Sequence, residues 1–398
     1  MKKSIISLTL IFTIMISMLS QTGILVKADD NLEFSFVTNS SINFSEYIPN
    51  EVNNYAITHY EEITDCVKCF KRYFNLDEND FTDINIGEPF FIYTDDEFKQ
   101  DDIFYYPIVN DNNKIILTMS IINTNHGWQY SISSEFVDKL NEIDYYNIDY
   151  IFYKTNDTII AESKNDIYTL YGNDTEFNTS FSPLCYIDKY KIIVKSLNHT
   201  EQANIDIEIQ NSIRQDVIAE SYIPKFSTNT SNSFSCFKTM KLYNAKGQGN
   251  YGMCWAASVA TIVNYLKGSN ITAKQVCNKM GIGYNEGGTI NDKQKALKKY
   301  SINYNHINQS TISWSKVKSN VNNKKPIAIS ASANSGKNWH AVTIIGYQNY
   351  KVNDYIVIWN SGLNGGNGGS QVIYYYNKYT TFQYGGSSYT WVKTLSYY

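Results

Sequence analysis

The sequence predicts an α+β protein of two domains, the second with its helices ahead of its strands. Three observations lead there. The 398 residues leave room for two domains of ordinary size. Charge reverses along the chain, from a net −22 over residues 29–236 to a net +15 over residues 237–398. At the reversal, residues 226–236 (Phe-Ser-Thr-Asn-Thr-Ser-Asn-Ser-Phe-Ser-Cys) are mostly small and polar, as linkers are. With 43% hydrophobic and 18% charged residues, the chain is globular, neither disordered nor collagen-like. Arg occurs only at Arg72 and Arg214 while Tyr and Asn abound, which reads as codon bias.

Lys2 and Lys3 precede an apolar run, Ile5 to Leu19, and Val26-Lys27-Ala28 offers a small-residue cleavage pattern. This predicts a signal peptide over 1–28 and an exported protein. No other run reaches the ~18 apolar residues of a membrane span, so no stable membrane association is expected.

In the acidic half, residues 51–74 carry helical spacing at Val52, Tyr55, Ala56, Ile63, Val67 and Phe70. Strand-like runs follow at Phe90–Tyr93, Ile103–Val109, Ile115–Ile122 and Trp128–Ile132, with a turn signal at Asn110–Asn113. A helix is expected from Ser134 to Leu140, then strands at Tyr150–Tyr153, Ile167–Tyr171 and Tyr190–Val194. The pattern is a mainly antiparallel sheet with no catalytic constellation. Cys66 and Cys69 lie within the first helix, where a local disulfide or two half-buried thiols outweigh a redox or zinc pair.

The basic half opens on a Gly-rich loop, Gly247 to Gly252. An amphipathic helix starts at Cys254, with Trp255, Val259, Ile262, Val263 and Leu266 on one face, and ends at Gly268. Further helices are expected over Thr272–Met280, Thr289–Tyr300 and Ser313–Asn322. Strands follow at Ile327–Ser330, His340–Gly346, Tyr355–Trp359 and Gln371–Tyr376, with a flexible turn over Gly362–Ser370.

Cys254 is the candidate nucleophile, because backbone N–H groups and the helix dipole favour a thiolate at a helix N-terminus. Gln248, six residues upstream, can donate to an oxyanion beside the Cys254 amide. His340 opens an apolar strand and can exchange the thiol proton. Asn360 ends the next strand and can accept from the imidazole, fixing its tautomer. An antiparallel pairing of those strands brings His340 and Asn360 together. Cys277 is assigned to packing. No metal-ligand spacing occurs, and neither a metal nor a cofactor is expected.

The block Gly252-Met253-Cys254-Trp255-Ala256-Ala257-Ser258, with Gln248, His340-Ala341-Val342 and Trp359-Asn360-Ser361-Gly362, resembles the papain-like cysteine peptidases. The compact layout is similar to that of the secreted bacterial staphopain-type and C39-like peptidases. The resemblance implies a papain-like catalytic domain over 231–398, helices first and then antiparallel sheet. It also implies an acidic prodomain over 29–230 that inhibits it intramolecularly. The implied activity is hydrolysis of protein or peptide substrates by an extracellular monomer that binds no nucleic acid. One departure stands out: many members place a Trp after the Asn, whereas here Trp359 precedes Asn360 and Ser361 follows.

Three rivals share parts of this pattern. A transglutaminase would use Asp354 as third residue. A cell-wall peptidase or amidase of the NlpC/P60 type would use the same Cys-His pair. A secreted basic binding module would keep the fold without the chemistry.

Overall fold

The computed structural model describes residues 48–172 and 245–398, apart from short breaks at 72, 75, 77–83, 95–98, 125–126, 144, 146–149, 156–157, 164–165, 334–335, 337, 351–352 and 376–378. The expected signal peptide, the linker, the strand at Tyr190–Val194, Cys185 and Cys236 lie outside the described residues.

The first helical stretch is two helices, α1 (Asn50–Thr58) and α2 (Tyr60–Phe70), instead of one. His59 leaves the helical region between them (φ −97°, ψ 5°), and its Nδ1 is 2.8 Å from the Tyr55 carbonyl. Cys66 and Cys69, three residues apart on α2, are separate thiols, the first buried and the second half-buried. Strands β1 (Asn85–Ile86), β2 (Phe90–Thr94), β3 (Lys99–Val109), β4 (Ile115–Thr124) and β5 (Gly127–Ser133) follow. The next helix, α3 (Val137–Glu142), starts three residues later than the sequence suggests, because Phe136 takes a left-handed conformation (φ 65°) before it. Then come β6 (Ile151–Thr155), β7 (Thr158–Glu162) and β8 (Ile167–Tyr171).

In the C-terminal region α4 (Cys254–Lys267), α5 (Ala273–Met280) and α6 (Ile290–Lys299) lead. Their ends follow local chemistry. Thr272 with Gln275, and Thr289 with Asp292, form capping boxes, while Gly268 and Gly281 close their helices in the left-handed region. After them come β9 (His306–Asn308), α7 (Trp314–Asn322), β10 (Ile327–Ala333), β11 (Asn338–Tyr350) and β12 (Asn353–Asn360). A single turn, α8 (Leu363–Gly366), and β13 (Gly369–Tyr374), β14 (Thr381–Tyr384) and β15 (Ser387–Ser396) complete it.

The two sets of strands do not form separate sheets. One sheet runs β14-β15-β10-β11-β12-β13-β5-β4-β3-β2-β6-β7-β8, with β1 beside β3 and β9 beside β15. The junction is antiparallel pairing of β13 with β5, Val372 opposite Ile132. Among the described residues the pairing is antiparallel except between β2 and β6, in line with the mainly antiparallel sheet expected.

Burial explains the order of elements. The apolar face of α4 packs with α5, α6 and Ala341 in one cluster, so the helices cover the face of the sheet that carries β10 and β11. A second cluster fills the other side of those strands with Ile329, Val342, Ile358 and Trp391. The N-terminal strands and α3 have their own core around Phe90, Tyr105, Phe136 and Phe152.

Candidate active site

α4 begins at Cys254 with no side chain capping it, so its first-turn N–H groups remain available to the sulfur. One turn on, Ser258 Oγ lies 2.8 Å from Thr343 Oγ1. That contact pins the helix to β11, the strand that carries His340. Trp255 is buried and its indole N–H donates to the Glu286 carbonyl at 3.1 Å. Gly288 lies against that indole so closely that a Cβ would stand 2.2 Å from the ring, so only glycine fits there.

His340 and Asn360 are both buried. The His340 Nε2–H donates to Asn360 Oδ1 at 2.8 Å, which leaves Nδ1 as the nitrogen free to exchange a proton. Asn360 Oδ1 also accepts from the Gly362 N–H at 3.1 Å, and its Nδ2 donates to Gln371 Oε1 at 3.5 Å. The Ala341 amide, next to His340, is close enough to the Cys254 sulfur to favour its anion. The thiol therefore lies against the strand that carries the imidazole.

Gln248 is held from both sides. Its amide N–H donates to the Ser361 carbonyl at 3.0 Å, and its Oε1 accepts from Ser361 Oγ at 2.9 Å. Its Nε2 donates one N–H to the Tyr251 carbonyl at 3.0 Å, and a carboxamide has a second. The turn over Gly362–Ser370, expected to be flexible, is built against this loop. Gly249 N donates to the Gly366 carbonyl at 2.9 Å, and a Cβ on Gly247 would overlap that same oxygen. Close backbone approach explains Gly366, where a Cβ would overlap the Gly249 carbonyl.

Residues 233–388 match the family model of the Peptidase_C39 like family. The C-terminal region is thus similar to the C39-like cysteine peptidases. No curated protein matches the chain. Among solved structures, a digestive procathepsin L 3 of Tenebrio molitor larval midgut is 13% identical, with 42% of this chain and 72% of that chain covered and a TM-score of 0.27. A structure from work on the mite allergens Blo t 1 and Der p 1 is 16% identical, over 44% of this chain and 74% of that one, also with a TM-score of 0.27. Likeness at that score adds nothing to the family match.

Within the C39-like domain, aromatic cover comes from a residue the sequence did not single out. Tyr384 on β14 stacks on His340, with ring centroids 4.3 Å apart and planes at 20°. Trp359 turns away and packs on Gly368, which explains how Ser361 can follow the Asn without leaving the imidazole bare. No sequence signal marked Tyr384, because β14 and β15 lack strict alternation. Asp354, the alternative third residue, sits opposite Asn349 and hydrogen-bonds to it. It lies near the far end of the β11–β12 pair from His340.

Burial dominates the electrostatics. It pushes His340 down to about 4, with Lys293 adding to the effect and Asn360 opposing it. Burial pushes the Cys254 thiol up, while Lys293 and the amides of Ala341, Trp255 and Cys254 pull it down. Both shifts favour a thiol beside a neutral imidazole at rest.

A cleft of about 590 Å³ opens beside the site. Gln248, Tyr251, Gly366 and Tyr384 of the C39-like domain form one side, and Lys154, Tyr171 and Gly172 of the N-terminal region form another. Tyr171 Oη donates to Tyr384 Oη at 2.8 Å.

Proposed function

We propose that the chain is the secreted zymogen of a cysteine endopeptidase. Cys254 is the nucleophile, His340 the general base and then acid, Asn360 the residue that orients His340, and Gln248 an oxyanion donor. The sulfur attacks the scissile carbonyl carbon, forming the C–S bond, while its proton passes to His340 Nδ1. The negative oxygen is received by the free N–H of Gln248 and the Cys254 amide. The C–N bond then breaks and the amine leaves with the proton from His340. Water, deprotonated by the same nitrogen, hydrolyses the acyl-enzyme and restores the thiol.

The observation that carries this reading is the 2.8 Å bond from His340 Nε2 to Asn360 Oδ1 beside a thiol at a helix N-terminus. That geometry fixes one imidazole tautomer and turns Nδ1 to proton transfer, a requirement of acyl transfer and not of a passive binding module.

The latent state rests on the N-terminal region. Lys154 Nζ donates to the carbonyls of Gly385 and Gly386 at 3.0 and 3.2 Å and to Ser387 Oγ at 2.8 Å. Glu135 Oε1 accepts from the Gly385 N–H at 2.6 Å. These contacts grip the β14–β15 hairpin, whose Tyr384 covers the imidazole. Residues 29–230 serve as the prodomain, and cleavage in the 226–236 linker allows them to leave.

The test is limited proteolysis of the purified full chain in that linker, with hydrolysis of a denatured protein followed before and after. Activity should rise on cleavage, be blocked by a thiol-directed inhibitor and be absent in Cys254→Ala. Hydrolysis by Cys254→Ala at the wild-type rate would overturn the assignment.

A further inference from the structure

Lys293 plays no part in the chemistry above, yet it is fully buried. It projects from α6 onto β10, where its Nζ donates to the Ile329 carbonyl and to Ser330 Oγ, both at 2.8 Å. β10 is the register partner of the strand that carries the base: Ser330 faces Ala341, and Ala331 faces His340. α4, which begins at Cys254, packs beside α6 on the same face of the sheet, in the same core cluster.

Both acceptors are neutral. The neighbouring carboxylate, Asp292, is turned to the Thr289 cap and to Lys295 at 3.9 Å. A buried ammonium that meets only neutral oxygens is costly, and a methionine would fill the same space without that cost. The charged and titratable groups that sense Lys293 are Cys254 from α4, His340 from β11 and Lys393 from β15. Cys254 is the one member of that set able to carry negative charge.

We propose that Lys293, in its protonated form, is the cation that supports the nucleophile, a positioning residue that stabilises the Cys254 thiolate from inside the core without touching substrate. The inference rests on Cys254 being the nucleophile. A cation there favours the sulfur anion and disfavours an imidazolium on His340. It therefore lowers the cost of the sulfur anion formed when His340 Nδ1 takes the thiol proton, and readies His340 to pass that proton on to the leaving amine. Burial brings Lys293 down to about 7 while the Cys254 thiolate draws it back up. By linkage, the same coupling lowers Cys254.

The experiment is alkylation of the full chain by iodoacetamide from about pH 5 to about pH 10, read by mass spectrometry at the Cys254 peptide. Wild type is compared with Lys293→Met and Lys293→Arg, each checked for folding by circular dichroism. The Met variant should shift the alkylation midpoint up by roughly one pH unit or more and slow the reaction about tenfold on the acid side. The Arg variant, which keeps the charge, should lie nearer wild type. An unchanged midpoint in folded Lys293→Met overturns the proposal.

Should Lys293→Met fail to fold, the reciprocal effect decides. By NMR, the Lys293 side chain should titrate at lower pH in Cys254→Ala than in wild type, and identical titrations overturn the proposal. Peptidase activity surviving in Cys254→Ala would sink the nucleophile assignment instead, and alkylation reports the coupling independently of that activity.

Discussion

Tyr384 lies nearly flat on His340, with 4.3 Å between ring centroids. The same tyrosine accepts a hydrogen bond at 2.8 Å from Tyr171, in the N-terminal region. One side chain thus shields the bond between His340 and Asn360 from water and ties the imidazole to the segment read as the prodomain.

The two tyrosines should separate these roles. Removing the ring with Tyr384→Ala exposes the imidazole and should lower turnover of the cleaved enzyme about tenfold or more. Tyr171→Phe removes only the hydroxyl, costing about 1 kcal/mol of docking and raising basal activity of the uncut chain several-fold. Steady-state assays on cut and uncut protein check both. Equal loss of activity in the two variants would contradict the division.

Within the catalytic set, His340→Ala should cost more turnover than Asn360→Ala. The β10 and β12 pairings hold β11 in place without the carboxamide, but nothing else supplies the proton shuttle. Gln248→Ala should cost on the order of 10²-fold in turnover, with KM changed less, because the donor acts on the developing oxyanion. A KM effect alone would make Gln248 a substrate-binding residue.

Prodomain docking should depend on pH through Glu135. Burial raises its carboxyl from 4.5 to about 7, against the Gly385 N–H and Lys154, which lower it. A raised folded value means that the protonated form belongs to the docked state. Docking is therefore strongest below the unfolded value and weakens as pH rises through about 7. Hydrogen exchange across the β14–β15 hairpin should be faster at about pH 8 than at about pH 5 after correction for intrinsic rates, and Glu135→Gln should flatten the difference. Slower corrected exchange at the higher pH would contradict the assignment.

Replacing Cys277, buried in the α4–α6 cluster, should leave most activity while lowering stability. Thermal unfolding and peptidase assays on Cys277→Ala together test whether its role is packing alone.

Much of this site is legible in the sequence because local chemistry wrote it. Gly268, Gly281, Thr272 and Thr289 mark helix ends that tertiary packing does not move. The alternation around His340 and Asn360 carries them to one end of an antiparallel pair. Yet the junction is made by strand pairing and by buried amides and hydroxyls: Gln371 donates to Ser131 Oγ at 3.1 Å, and Ser131 donates to Gln383 Oε1 at 2.6 Å. Such contacts join residues some 240 positions apart and leave no periodic trace. Lys293 was hidden for a related reason: in a lysine-rich helix, one inward-facing lysine looks like the others until β10 is placed beside it.

The central claim is that Cys254 carries the acyl group. Rapid quenching of the linker-cleaved enzyme with a chromogenic peptide ester, followed by mass spectrometry, tests it most directly. The account predicts a burst stoichiometric with enzyme, the acyl group on the Cys254 peptide, and no burst in Cys254→Ala. A full burst in that variant, or an acyl group on another residue, would contradict it.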